Sequence, residues 1–149
     1  MTAERAAEIA ADLAGWIAEA TRQDGTVRLA DGREVPRVPF SLLWAVDGED
    51  AFVGHVSIRH QLSEELRRTG GHVGWSIRPS RWGRGCGTAM ARLAMAECRR
   101  LGIDPVLITC NAANTASRRI IERLGGSLEA EIPHPYEAGT LRRYWVPAG

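Results

Sequence analysis

The chain has 149 residues, 44% hydrophobic and 25% charged, the make-up of a soluble globular domain able to bury a core of its own. A formal net charge of +1 gives no field to draw the whole protein to nucleic acid or an anionic membrane, and no apolar run reaches membrane-spanning length. Cys86, Cys98 and Cys110 form neither an even disulfide set nor a metal-site spacing, so reduced thiols, a cytoplasmic setting and no bound metal are expected. All 19 basic residues are arginine, which rules out Schiff-base, P-loop and general-base lysine chemistry.

Residues 3–21 read as an amphipathic helix, with Ala6, Ile9, Ala10, Leu13, Trp16, Ile17 and Ala20 on one face and Asp24-Gly25 ending it. Glu4, Glu8 and Asp12 within that pattern are not those of a secretory signal. Residues 26–40, with Pro36 and Pro39, look irregular. Leu42 to Val46 and Phe52 to Arg59 are strand-like about Asp47-Gly48-Glu49-Asp50, a hairpin. Ser63 to Arg68 can form a short helix capped by Ser63 before Gly70-Gly71. Val73, Trp75 and Ile77 alternate with smaller or polar residues in a strand that Pro79 stops. A glycine-rich loop precedes a helix from Ala89, which buries Met90, Ala94, Cys98 and Leu101 and ends at Gly102. Val106 to Cys110 is a doubly covered strand. Asn114 or Thr115 opens a helix to about Leu124, and strands Ser127 to Ile132 and Leu141 to Val146 finish the chain. With no repeat or linker, residues 1–149 read as one α/β domain with a mixed sheet.

The loop Arg78-Pro79-Ser80-Arg81-Trp82-Gly83-Arg84-Gly85-Cys86-Gly87-Thr88 carries the strongest chemical signal. Strand, glycines, helix is the order that turns backbone N–H groups toward an anion, above all a phosphate, at a helix N-terminus. Glycine adopts positive φ without a Cβ clash, and arginine adds charge. A dinucleotide fold would place such a loop near the start of its βαβ unit, and a Walker loop would need Gly-Lys-Ser/Thr. An ordinary turn into a helix is the bland alternative.

A second block narrows the choice: Thr109-Cys110-Asn111-Ala112-Ala113-Asn114-Thr115-Ala116-Ser117, followed by a helical run to Gly125-Gly126. Together the blocks resemble the GNAT superfamily of acyl-CoA-dependent N-acyltransferases, over about residues 41–146, with residues 1–40 a variable N-terminal helix and irregular segment. The family's Gln/Arg-x-x-Gly-x-Gly/Ala loop is matched by Trp82-Gly83-Arg84-Gly85-Cys86-Gly87, with Trp82 departing at the first position. The chain is most similar to a bacterial branch with Gly-His-x-Gly-(aromatic)-Ser-Ile-Arg-Pro, here from Gly71 to Pro79, and Cys-Asn-x-x-Asn-x-x-Ser, here from Cys110 to Ser117.

The resemblance implies an α/β (α+β) fold with a mixed, mostly antiparallel sheet, helices on both faces and central strands splayed at the cofactor site. It implies acetyl-CoA as co-substrate, its arm along Ser76, Ile77 and Arg78, and its pyrophosphate on Trp82, Gly83, Arg84, Gly85, Cys86, Gly87 and Thr88. Asn111, Asn114 and Ser117 would meet the arm, although Asn114 also suits a plain helix cap. The implied activity is N-acetyl transfer to a primary amine of a small molecule or a protein N-terminus, by direct attack and without a covalent enzyme intermediate. Homodimers are frequent among relatives. Catalytic candidates are His72 as base, with Glu64, Glu65 and His60 as alternatives, and Ser117; each also has a purely structural reading. Many relatives carry a tyrosine as acid seven residues after the Asn114 position. Here that residue is Ile121, which leaves Tyr136 and Tyr144 as substitutes and a non-catalytic acyl-CoA-binding or sensing domain as the alternative. Relatives also begin with a strand, which this chain either lacks or replaces with residues 26–30.

Overall fold

The structure is a computed structural model and describes residue 8 and residues 10–149. Helix α1 (Leu13–Ala20) precedes a small hairpin of β1 (Thr26–Arg28) and β2 (Glu34–Pro36). The main sheet comprises β3 (Phe40–Val46), β4 (Phe52–Arg59), β5 (Val73–Ile77), β6 (Val106–Asn111), β7 (Ser127–Pro133) and β8 (Thr140–Val146). Helix α2 (Cys86–Arg100) links β5 to β6, and α3 (Thr115–Arg123) links β6 to β7. The spatial order is β3-β4-β5-β6-β8-β7, with every neighbouring pair antiparallel except β5 and β6. That one parallel pair needs a long crossover, which α2 supplies. The expected α/β (α+β) class, with its mixed and mostly antiparallel sheet, is borne out.

Helices α2 and α3 cover one face of the sheet. Met90, Ala91, Ala94, Met95 and Cys98 recur at helical spacing and are buried with Val56, Ile58, Val73, Val106, Ile108, Tyr144 and Val146 from four strands. The opposite face of β3, β4 and β5 meets α1 and the small hairpin across a cavity.

Four expectations need correction or completion. The helix expected over residues 3–21 restarts at Asp12, whose carboxylate accepts the Gly15 N–H at 2.9 Å and caps Leu13–Ala20. Residues 1–7 and Ile9, part of that expectation, lie outside the described residues. Among the described residues of its apolar face, Leu13 remains 52% exposed, and Trp16 and Ala20 line the cavity. Residues 26–40 are not irregular throughout, since β1 and β2 pair there. That hairpin stands apart from the main sheet, so it does not replace the family's first strand. Helix α2 opens at Cys86 rather than Ala89, because Gly85 adopts a left-handed conformation and turns the chain into the helix early. Ser63 does cap as expected, its Oγ accepting the Leu66 N–H, but the segment continues as a π-helical turn, Leu66–Gly70.

Candidate functional site

Strands β5 and β6 are joined at one end and open at the other. Gly71 has φ 63°, and a Cβ there would stand 2.6 Å from the Leu107 carbonyl oxygen, so only glycine allows this approach. His72 then donates its backbone N–H to Leu107 O at 2.7 Å, and its Nδ1 accepts the Leu107 N–H at 2.9 Å. Beyond this joint the strands share one register pair, Val73 with Ile108, and diverge. One backbone edge of β5 from Gly74 to Ile77 therefore faces a gap.

The end of β5 runs into the glycine loop. Gly85, at φ 79°, caps α2 without a side chain, and no Cβ clash would bar a larger residue there; the backbone conformation is what demands glycine. Among the described residues, the N–H groups of Cys86, Gly87 and Thr88 find no capping acceptor. They are the orphan donors of a helix start, aimed at solvent with the positive end of the helix dipole. Arg81 is tied to Asp47 and Arg78 donates to Phe52 O at 3.2 Å, whereas Arg84 is exposed and has no partner among the described residues. Trp82 is 68% exposed, yet its indole N–H donates to Ile77 O at 2.7 Å and folds the loop back on the strand.

The second motif sits at the end of β6. Asn111 Oδ1 accepts the Ala113 N–H, and Asn114 Oδ1 accepts the Ser117 N–H, both at 3.0 Å. Asn114 is thus the cap of α3, and one oxygen of each asparagine is already used in a turn. Ile121 is fully buried in the core. Tyr144 is buried there too, its hydroxyl without a hydrogen-bond partner, while the Tyr136 hydroxyl donates to Glu65 Oε1 at 2.7 Å.

On the other face lies a cavity of about 770 Å³. Trp16, Val27, Leu29, Val35, Phe40, Leu42, Trp44 and Phe52 give it apolar walls. Its polar groups come from alternate positions of β4, His55, Ser57 and Arg59, with Ser76 of β5 beside them. Glu65 closes another side; its carboxylate, 12% exposed, also meets Arg33 and Thr69 and is held below the usual glutamate range, chiefly by the Tyr136 hydroxyl.

The candidate residues divide sharply. Ser76, Ile77 and Arg78 line the cavity, and the loop residues Trp82 to Thr88 follow on the same stretch of chain. His72 is 9% exposed, serves as a hydrogen-bond acceptor between strands and lies outside the cavity lining; burial, with Arg67 and Arg59, depresses its pKa. Glu64 points to solvent, and His60 shares a hydrogen bond with Ser41 at 2.9 Å. Burial pushes the Cys98 thiol up to about 11 and raises that of Cys110, which keeps both unreactive. Sequence reasoning missed His55, which stands in the cavity opposite Ser76 with no hydrogen bond to another described residue. The strict alternation of His55, Ser57 and Arg59 with Val56 and Ile58 was the signal that could have shown these three sharing the face away from the core.

Among the described residues, no group of three or more His, Cys, Asp or Glu side chains could hold a metal ion, and no helix is long and apolar enough to cross a membrane. A model of the acetyltransferase (GNAT) domain matches residues 3–127. The chain belongs to the GNAT acetyltransferase family. No curated protein matches it. Among solved structures, yncA from Salmonella typhimurium, with its cofactor acetyl-CoA, is 20% identical with a TM-score of 0.60, covering 74% of this chain and 65% of that one. A variant of the spermidine N-acetyltransferase SpeG from Vibrio cholerae is 14% identical with a TM-score of 0.57, over 73% and 66%. A GNAT-family acetyltransferase from Bacillus anthracis is 25% identical with a TM-score of 0.53, over 68% and 61%. The chain thus spans less than two thirds of the length of these GNAT relatives. At these low identities the likeness shows a shared fold.

Proposed function

We propose that the chain transfers the acetyl group of acetyl-CoA to a primary amine, of a small molecule or a protein N-terminus, by direct attack. One observation carries this reading: β5 connects two half-sites. Its end runs into a helix start with unclaimed N–H donors, and its Ser76 and Ile77 line the large cavity on the other face. GNAT membership and the acetyl-CoA-bound relative support the donor.

The residues present fit that donor. The N–H groups of Gly83 to Thr88, with Arg84, would hold its pyrophosphate, and Ser76 to Arg78 together with Asn111, Asn114 and Ser117 would hold its arm. Bound acetyl-CoA supplies an activated thioester. The chain's own task is to bring an amine to it as the free base. His55 is the best-placed acceptor for that proton, because its imidazole lines the cavity beside Ser76 and makes no hydrogen bond to another described residue. Glu65 is a weaker choice, with its oxygens already bonded to Tyr136, Thr69 and Arg33. An N–H on the open edge of β5 would donate to the oxygen that gains charge. His72 holds the two strands together at the point where they part.

Release of CoA thiol on mixing acetyl-CoA with a panel of amines tests the proposal. Amine-dependent release with acetylated product is expected. Tight acetyl-CoA binding with no amine ever acetylated would contradict it and favour the non-catalytic acyl-CoA-binding reading. One observation favours that rival, the burial of Ile121 where many relatives carry a tyrosine.

A further inference from the structure

We infer that Arg59 binds an anionic group of the acceptor, so that the acceptor is an apolar amine carrying a carboxylate close to its nitrogen. The amine part of this inference rests on the proposed acetyl transfer; the anion part rests on the cavity alone.

Arg59 is the last cavity-facing residue of β4, and its neighbour Ile58 is fully buried on the opposite face. Arg59 is half-buried, yet no carboxylate among the described residues pairs with its guanidinium. Its one hydrogen bond is a long one, Nη1 to Gly70 O at 3.4 Å. A guanidinium has five N–H donors, so most of these have no partner. Burial lowers its pKa, and no nearby acid offsets that effect. The other charged cavity residues differ. Arg37 is paired with Glu19 at 2.7 Å, Glu65 is held on three sides, and Arg78 is exposed. A charge taken out of water without a partner is costly, and a planar donor fork is matched best by a carboxylate taking two parallel bonds.

Position sets the size of the ligand. A Cβ on Gly74 would stand 3.4 Å from Arg59 Nη1 and 3.5 Å from Ser57 Oγ, so the guanidinium lies over the Ser57–Gly74 rung of the sheet. The next rung on this face is His55–Ser76. Same-face rungs are spaced roughly 7 Å apart along a strand. An amine at His55 and an anion at Arg59 therefore belong to one small molecule, with the separation of an amino acid. The apolar walls, Trp16, Leu29, Phe40 and Leu42 among them, would take its hydrocarbon part.

The test is calorimetric titration of the full chain, loaded with CoA, with two matched pairs: phenylalanine against phenethylamine, and leucine against isoamylamine. In the wild type each amino acid should bind at least tenfold more tightly than its decarboxylated partner. Arg59→Gln should erase that preference, and Arg59→Lys should keep part of it. The inference is overturned if the amines bind as tightly as the amino acids, if the preference survives Arg59→Gln, or if no member of the panel binds. Should Arg59→Gln fail to fold, the wild-type pairs decide. Thiol release with acetyl-CoA is read separately: a preference for the amino acids without release contradicts acetyl transfer and leaves the anion site standing.

Discussion

The two half-sites that meet at β5 are made of different material. The loop and helix start of residues 83–88 are backbone: orphan N–H groups, a left-handed Gly85 and a single unpaired Arg84. The cavity is side chain: aromatic and aliphatic walls with His55, Ser57, Arg59 and Glu65 set among them. A backbone site depends on conformation, so it tolerates changes in most side chains and fails when φ is forced. A side-chain site keeps its shape under substitution and changes what it recognises. Damage to the first should abolish binding of one ligand, while damage to the second should alter rate and choice.

That contrast can be broken by mutation, and the largest effect is expected in the cavity. His55→Ala should lower kcat about 100- to 10,000-fold, the usual range for loss of a general base, while acetyl-CoA affinity measured by calorimetry stays the same. Equal loss of acetyl-CoA affinity would merge the two half-sites into one. Gly85→Glu comes next. It should weaken acetyl-CoA about 100-fold or more, near 2.7 kcal/mol. The strained φ should cost stability only about 1–2 kcal/mol, so circular dichroism should still show a folded chain. Unchanged affinity would remove the pyrophosphate from this loop.

His72 sharpens the comparison because it belongs to neither half. His72→Ala leaves the Leu107 N–H without its acceptor and should cost about 1–3 kcal/mol in urea unfolding. The wild type should also be acid-sensitive. The folded-state pKa of His72 lies below the ordinary 6.5, so at lower pH the unfolded chain binds the proton more readily. Its contribution is complete above about 6.5 and is lost as pH falls from there through the depressed value. His72→Ala should lose less stability than the wild type between pH 7.5 and 5.5, and an equal loss would assign the acid sensitivity to other groups. The smallest effect separates two arginines. Arg84→Ala should weaken acetyl-CoA by about two- to fivefold, less so at high salt, and Arg81→Ala by less, since Asp47 already holds Arg81.

The same contrast explains what could be read from the sequence. The proposed donor side was legible because its physics is local: Val73 to Thr88 encodes strand, turn and helix start within one stretch. Gly85 turns the chain into the helix there, and the helix begins three residues sooner than the apolar pattern suggested. The proposed acceptor side was illegible because it is assembled from distant pieces. Trp16, Leu29, Leu42, Arg59 and Glu65 meet only once α1 and the small hairpin fold over β3 and β4. His72 attracted attention as a histidine within a motif, and nothing local shows that its ring bonds a residue 35 positions away. His55 was passed over because a lone histidine in an apolar strand carries no motif, although period-two alternation put it on the face away from the core.

The central claim is that donor and acceptor meet through the opening between β5 and β6. A crystal structure with CoA bound tests it most directly. The account predicts the pyrophosphate on the N–H groups of residues 83–88, the arm in the gap beside Gly74 to Ile77, and the thiol opening onto the cavity near His55 and Ser76. A thiol lodged away from that cavity, or a pyrophosphate held elsewhere on the chain, would contradict it.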